Sequence, residues 1–120
     1  LQADGGTRTA SITGAYVALR IAIDKLIQEK KVSEAVLSEP VAAISVGIVD
    51  GIPRVDLCYE EDSRAGVDLN VVMSGENAFV EVQGTAEGKI FTKEELDEML
   101  ELASNAIQQL FQYQDKNLIL

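Results

Sequence analysis

The 120 residues carry 10 basic and 20 acidic side chains, a net charge of −10, and no histidine. That balance argues against indiscriminate polyanion binding but leaves room for a local cationic site. The missing histidine removes Ser-His-Asp and Cys-His catalysis and the usual zinc sites, leaving carboxylates, arginine, lysine, backbone amides or a hard metal ion.

Residues 10–30 read as the first helix. Arg20, Asp24, Gln28 and Lys31 make one narrow polar stripe, and Ile12, Ala15, Tyr16, Leu19, Ile23, Leu26 and Ile27 leave the remainder apolar, which predicts a mostly buried helix. Gly14 suggests close packing against another element. Pro40 ends the linker that follows. "VAAISVGIV" (41–49) is apolar on both faces, as a central strand should be. "DGIP" reads as a turn, and "RVDLCYE" (54–60) as a second strand paired to the first. Cys58, in that strand, reads as a small buried hydrophobe.

"VDLNVVMS" (67–74) alternates, with Val67, Leu69, Val71 and Met73 on one face and Asp68, Asn70 and Val72 on the other. "NAFVEVQG" (77–84) is a further alternating strand. Thr92 and Glu95 form a capping-box pattern that opens the last helix. Leu96, Met99, Leu100, Ala103, Ile107 and Leu110 recur along it at helical spacing, and the tail from Asp115 reads as frayed. The order is helix, four strands, helix: an α+β layer with helices against one sheet face. "LQAD" reads as the tail of a strand begun upstream of Leu1.

Three stretches carry possible chemistry. In "GGTRT", Gly5 and Gly6 permit tight backbone turns, and the helix behind them opens with unsatisfied amides that attract an anion. Arg8 adds a fork of donors suited to phosphate, and Thr7 and Thr9 add hydroxyls. The same residues also read as an ordinary glycine turn with Thr9 or Ser11 as N-cap. In "YEEDSRAGVD", Asp62 and Asp68 converge if the chain turns back between them. Such a pair suits Mg²⁺ or Mn²⁺ or a general acid. A solvated acidic loop is the plainer reading, against which stands Asp68's place in an apolar strand. In "VEVQGTAEG", Glu81 and Gln83 project from one strand face, as any amphipathic strand would arrange them.

"QADGGTRTASITGA", "AAISVGIV", "YEEDSRAGVDLNVVM" and "FVEVQGTAEG", in this order, resemble the blocks of the bacterial ribonuclease PH family. The resemblance implies the fold of ribosomal protein S5 domain 2, here incomplete: helix, four mainly antiparallel strands, C-terminal helix. It implies a phosphorolytic 3′-to-5′ exoribonuclease that trims tRNA precursors, with inorganic phosphate as co-substrate, releases nucleoside diphosphates and also runs backward as a nucleotidyltransferase. Thr7 and Arg8, with Gly6 in the same turn, match its phosphate-binding residues. Asp62 and Asp68 match its aspartate pair, implicated in Mg²⁺ or Mn²⁺ binding and acid catalysis. Expected partners are the tRNA 3′ end and further copies in a hexameric ring of dimers.

The family is roughly twice as long. Residues 1–120 are therefore expected to be the C-terminal portion of one domain whose leading half is absent. Glu76-Asn77-Ala78 replaces the family's Ser-Gly-rich turn, which puts a phosphate contact from that loop in question. Two other readings stay open: a non-catalytic ring or RNA-binding subunit, and an inactive fragment. No apolar run reaches the length needed to span a membrane. The lone Cys58 and the absence of a basic-then-apolar leader in the sequence as given lead to the expectation of a cytoplasmic protein.

Overall fold

Val41–Val49 is apolar at nearly every position, and only a strand covered on both faces satisfies such a run. In the computed structural model, which describes residues 2–118, this segment is β1, buried from Ala42 to Val49. It lies between β2 (Ile52–Val55) and β3 (Val67–Ser74), with β4 (Ala78–Ala86) outermost, in the all-antiparallel order β2-β1-β3-β4. The β1–β3 register pairs Ala42 with Met73, Ile44 with Val71 and Val46 with Leu69. The apolar half of each alternation thus falls on one face.

The C-terminal helix packs on that face. Its capping box forms as the sequence indicates: Thr92 Oγ1 accepts from the Glu95 N–H at 3.1 Å, and the Glu95 carboxylate from the Thr92 N–H at 2.8 Å. Met99, Ala103, Ile107 and Phe111 then recur every fourth residue and close the core over β1 and β3. Each of the larger side chains contributes about 1.5–3 kcal/mol through burial.

The α+β order of helix, strands and helix holds, with corrections. The first helix, α1, spans Thr7–Gln28, starting earlier than expected; Lys30 (φ 57°) in the left-handed region closes it. It is not mostly buried. Only Thr9 is buried, and Leu19 and Ile21 stay 50% and 41% exposed. Its apolar residues run nearly all round, but the described residues offer it partners on one side only. The space around Gly14 is open, so close packing does not explain that glycine.

The expected second strand stops at Val55. Tyr59–Arg64 form a short helix, α2, in place of a strand end and loop. Asp56 (φ 59°) breaks the extended path. Three acidic residues crowd the first turn of α2, where the helix dipole favours them. Cys58 is its N-cap and only partly buried. The last helix, α3, covers Lys93–Leu118, continuing beyond Asp115. The buried Gln114 anchors it, its Nε2 donating to the carbonyls of Thr13 and Val41 at 3.0 and 2.9 Å. Gln2–Asp4 form no strand with any of the described residues; Leu1 lies outside them.

The helices also do not share one face. α3 covers the Ala42/Ile44/Val46 side, whereas α2 and the first turn of α1 lie on the Ser45/Gly47/Asp68 side. β2 pairs only with Val46–Val49, leaving the start of β1 an open edge. Thr13 of α1 closes it: its hydroxyl accepts from the Ala43 N–H at 3.0 Å and donates to the Ala43 carbonyl at 3.2 Å.

Candidate phosphate and carboxylate site

The face opposite α3 carries polar side chains where the pleat and register put them together. Gly47, Asp68 and Thr85 are consecutive partners across β1, β3 and β4, followed by Ser45, Asn70 and Gln83, then Ala43, Val72 and Glu81. A cleft of about 410 Å³ opens over this ladder, lined by Arg8, Asp68, Asn70, Gln83, Thr85 and Glu87.

Arg8 reaches the cleft because the preceding turn is pinned. Gly5 (φ 83°) passes so close to the β2–α2 connection that a Cβ on it would stand 2.5 Å from the Leu57 carbonyl oxygen. Asp4 Oδ1 accepts from the Tyr59 N–H at 3.1 Å, so the lead-in to α1 also caps α2. Ser45 fastens the same connection from below, accepting from the Leu57 N–H at 3.2 Å. The α1 N-cap is Gly6, in the left-handed region (φ 61°), and not Thr9 or Ser11; those hydroxyls donate back to the carbonyls of Gly6 and Thr7. No acidic side chain occupies the first turn, so the opening amides of α1 keep their affinity for an anion.

The expected phosphate trio is divided. Arg8 lines the cleft, Gly6 lines a neighbouring hollow with Thr9 and Asp56, and Thr7 is exposed at the helix start. Arg8 is also held by residues that looked merely structural. Its Nη1 donates to Gln83 Oε1 at 3.0 Å and its Nη2 to Glu81 Oε1 at 2.8 Å.

Asp68 and Asp62 do converge, one from β3 and the other from α2. Burial pushes the Asp68 carboxyl above the usual carboxylate range, and the nearby carboxylates of Asp62 and Glu87 push it further. Asp68 Oδ1 is buried without a hydrogen-bond partner among the described residues, and such an atom calls for a proton or a cation. The all-oxygen surroundings fit Mg²⁺ or Mn²⁺, which need only one or two carboxylates. Among the described residues no three His, Cys, Asp or Glu side chains form a closed metal cage. Glu61, next to Asp62, serves α2 instead: bonds from the Cys58 thiol and N–H hold its carboxyl low, and Arg54 pairs with it at 3.5 Å.

Sequence reasoning missed Thr85 and Glu87 as cleft residues and gave Asn70 no role. Register was the missing signal: with β3 against β4, Asn70 and Thr85 fall on the Asp68 face. The Glu76-Asn77-Ala78 turn lies at the other end of the β3–β4 pair, where Gln108 of α3 donates to the Glu76 carbonyl at 2.9 Å.

A four-stranded antiparallel sheet with a long helix before and after it, and with a helix-borne arginine and a half-buried aspartate on one face, is an α+β domain of the ribonuclease PH type. The sequence model described as "3' exoribonuclease family, domain 2" matches residues 39–106, and the chain belongs to that family. Ribonuclease PH of Syntrophomonas wolfei subsp. wolfei is 55% identical over 114 residues, covering 95% of this chain and 48% of that protein. The chain thus spans about half the length of the curated relative it matches. The crystal structure of rice (Oryza sativa) Rrp46 superposes with a TM-score of 0.73 at 15% identity, over 98% of this chain and 50% of that one. An Archaeoglobus fulgidus exosome with RNA bound to the active site gives a TM-score of 0.56 at 19% identity, over 73% and 35%. These two likenesses show the fold. No helix among the described residues is long and apolar enough to cross a membrane.

Proposed function

We propose that the chain is the catalytic half of a phosphorolytic 3′-to-5′ exoribonuclease acting on the 3′ end of tRNA precursors, and that the leading half of its domain lies outside these residues. The observation that carries the reading is the meeting of Arg8 and Asp68 in one cleft, in a chain 55% identical to a ribonuclease PH. An anionic phosphate must approach an anionic diester, so the site has to supply positive charge to the nucleophile and a proton or cation to the leaving side.

Arg8 and the opening amides of α1, with Thr7 and Gly6 beside them, receive inorganic phosphate and orient one of its oxygens toward the terminal phosphorus. Asp68 keeps a proton at a pH where an ordinary carboxyl has lost it, and in that form donates to the departing 3′-oxygen. Asp62 sustains this by its charge. Alternatively, with both carboxyls deprotonated, Asp62 and Asp68 would be the residues to hold Mg²⁺ or Mn²⁺, which when bound supplies positive charge beside the transferring phosphoryl group in place of the Asp68 proton. The product is a nucleoside diphosphate, and the reverse reaction extends the RNA. A cytoplasmic location and a homohexameric ring of dimers belong to the same proposal.

The test incubates the chain, alone and with the leading half supplied in trans, with a 3′-extended tRNA, Mg²⁺ and phosphate. Phosphate-dependent release of nucleoside diphosphates, lost in Arg8→Ala and in Asp68→Ala, supports the reading. Ring assembly and RNA binding without any product would assign the chain to a non-catalytic subunit.

A further inference from the structure

Arg8 is a long, half-exposed cation beside two carboxylates of the cleft, Asp68 and Glu87, yet it pairs with neither. It lies instead along β4, bonded to Gln83 and Glu81. These two are spaced i, i+2, so they project from the same strand face. Glu81 pairs with Val72 in the register, Gln83 with Asn70 and Thr85 with Asp68, which puts Glu81 on the side of Arg8 away from Asp68. The pair adds little to folding, since both side chains remain well exposed (51% and 39%). What it does is set the direction of the guanidinium. Each Nη spends one of its two hydrogens on β4, and the remaining donors stay available to an anion. Freed from β4, the side chain would be drawn toward the Glu87 carboxylate in the same cleft, where its charge would be cancelled.

We infer that Glu81 and Gln83 form a splint that holds the Arg8 guanidinium at the rim of the cleft, which makes Glu81 a positioning residue for the phosphate that Arg8 binds. The inference rests on the phosphate-binding reading of Arg8 given above. Glu81 acts through Arg8 and touches no reacting atom.

Calorimetric titration with inorganic phosphate tests it, on the chain and on Glu81→Ala, Glu81→Gln, Gln83→Ala and Arg8→Ala, each confirmed folded by circular dichroism. The expected result is binding that Arg8→Ala abolishes. Glu81→Ala weakens it about three- to tenfold, the cost of ordering one long side chain at the moment of binding, and Gln83→Ala weakens it less. Glu81→Gln, which keeps an acceptor at the same reach, restores most of it. The Arg8 Nη–H signals are expected to be resolved by NMR in the parent chain and to average together in Glu81→Ala. A merely structural role for Glu81 would move neither reading in a folded variant. Arg8-dependent binding that is unchanged or tighter in Glu81→Ala overturns the splint and leaves the functional reading standing. Absence of Arg8-dependent phosphate binding, both in the parent chain alone and with the leading half supplied in trans, overturns both.

Discussion

Arg8, in the first turn of α1, and Asp68, on β3, line the same cleft although neither is near the other in sequence. One supplies a cation and the other a half-buried carboxyl whose hold on its proton is raised by burial and by the neighbouring Asp62 and Glu87 carboxylates. Loss of Arg8 should therefore act on phosphate before it acts on RNA. Arg8→Ala is expected to lower kcat/KM for phosphate by about 10²-fold or more, the scale for removing one preorganised donor to a charged reactant. Arg8→Lys should not restore it, because an ammonium lacks the fork. Steady-state kinetics at varied phosphate concentration measures both.

Asp68→Asn separates chemistry from stability. A carboxyl raised in the folded state holds its proton more firmly there than in the unfolded chain. Its stabilising protonation is complete below the unfolded value and is lost as pH rises through the folded one. Asp68→Asn should thus abolish activity in the presence of Mg²⁺ and, in chelator-containing buffer, raise Tm at neutral pH and flatten the fall in Tm between acid and neutral pH. Thermal melts across that range check the sign.

Thr13→Val keeps the shape and removes the hydroxyl that satisfies both polar groups of Ala43. The two backbone groups are left at a part-buried strand edge, a loss of about 1–3 kcal/mol. Ser11→Ala, whose hydroxyl serves only an exposed carbonyl of its own helix, should cost under about 0.5 kcal/mol. Urea titration distinguishes them.

Gly5 and Gly51 both have positive φ, at 83° and 76°, but only Gly5 is crowded. Gly51→Ala carries the left-handed strain alone, about 1 kcal/mol. Gly5→Ala adds a collision with the Leu57 carbonyl and should cost more, while weakening phosphate binding through displacement of Arg8. Paired denaturation curves and phosphate titrations test this.

Much of this was legible in the sequence. β1 was marked by continuous apolar residues, β3 by alternation and α3 by Thr92, Glu95 and its fourfold spacing, because these patterns report burial directly. The residues of the candidate site were legible as residue types in specific blocks. Local pattern failed where tertiary contacts decide. α2 forms because Asp4, far away in sequence, caps Tyr59 and because Asp56 turns the chain. The exposure of α1 follows from which surfaces it meets, and its own composition suggested the opposite. Glu81 and Gln83 looked like any amphipathic strand until register placed them under Arg8.

The source of the β-phosphoryl group in the product tests the central claim most directly. With ³²P-labelled inorganic phosphate, ¹⁸O-labelled water and a 3′-extended tRNA, and the leading half present if needed, the account predicts nucleoside diphosphates labelled in the β position and free of water-derived oxygen at the α-phosphorus. Nucleoside monophosphates carrying ¹⁸O, formed without phosphate, would contradict it.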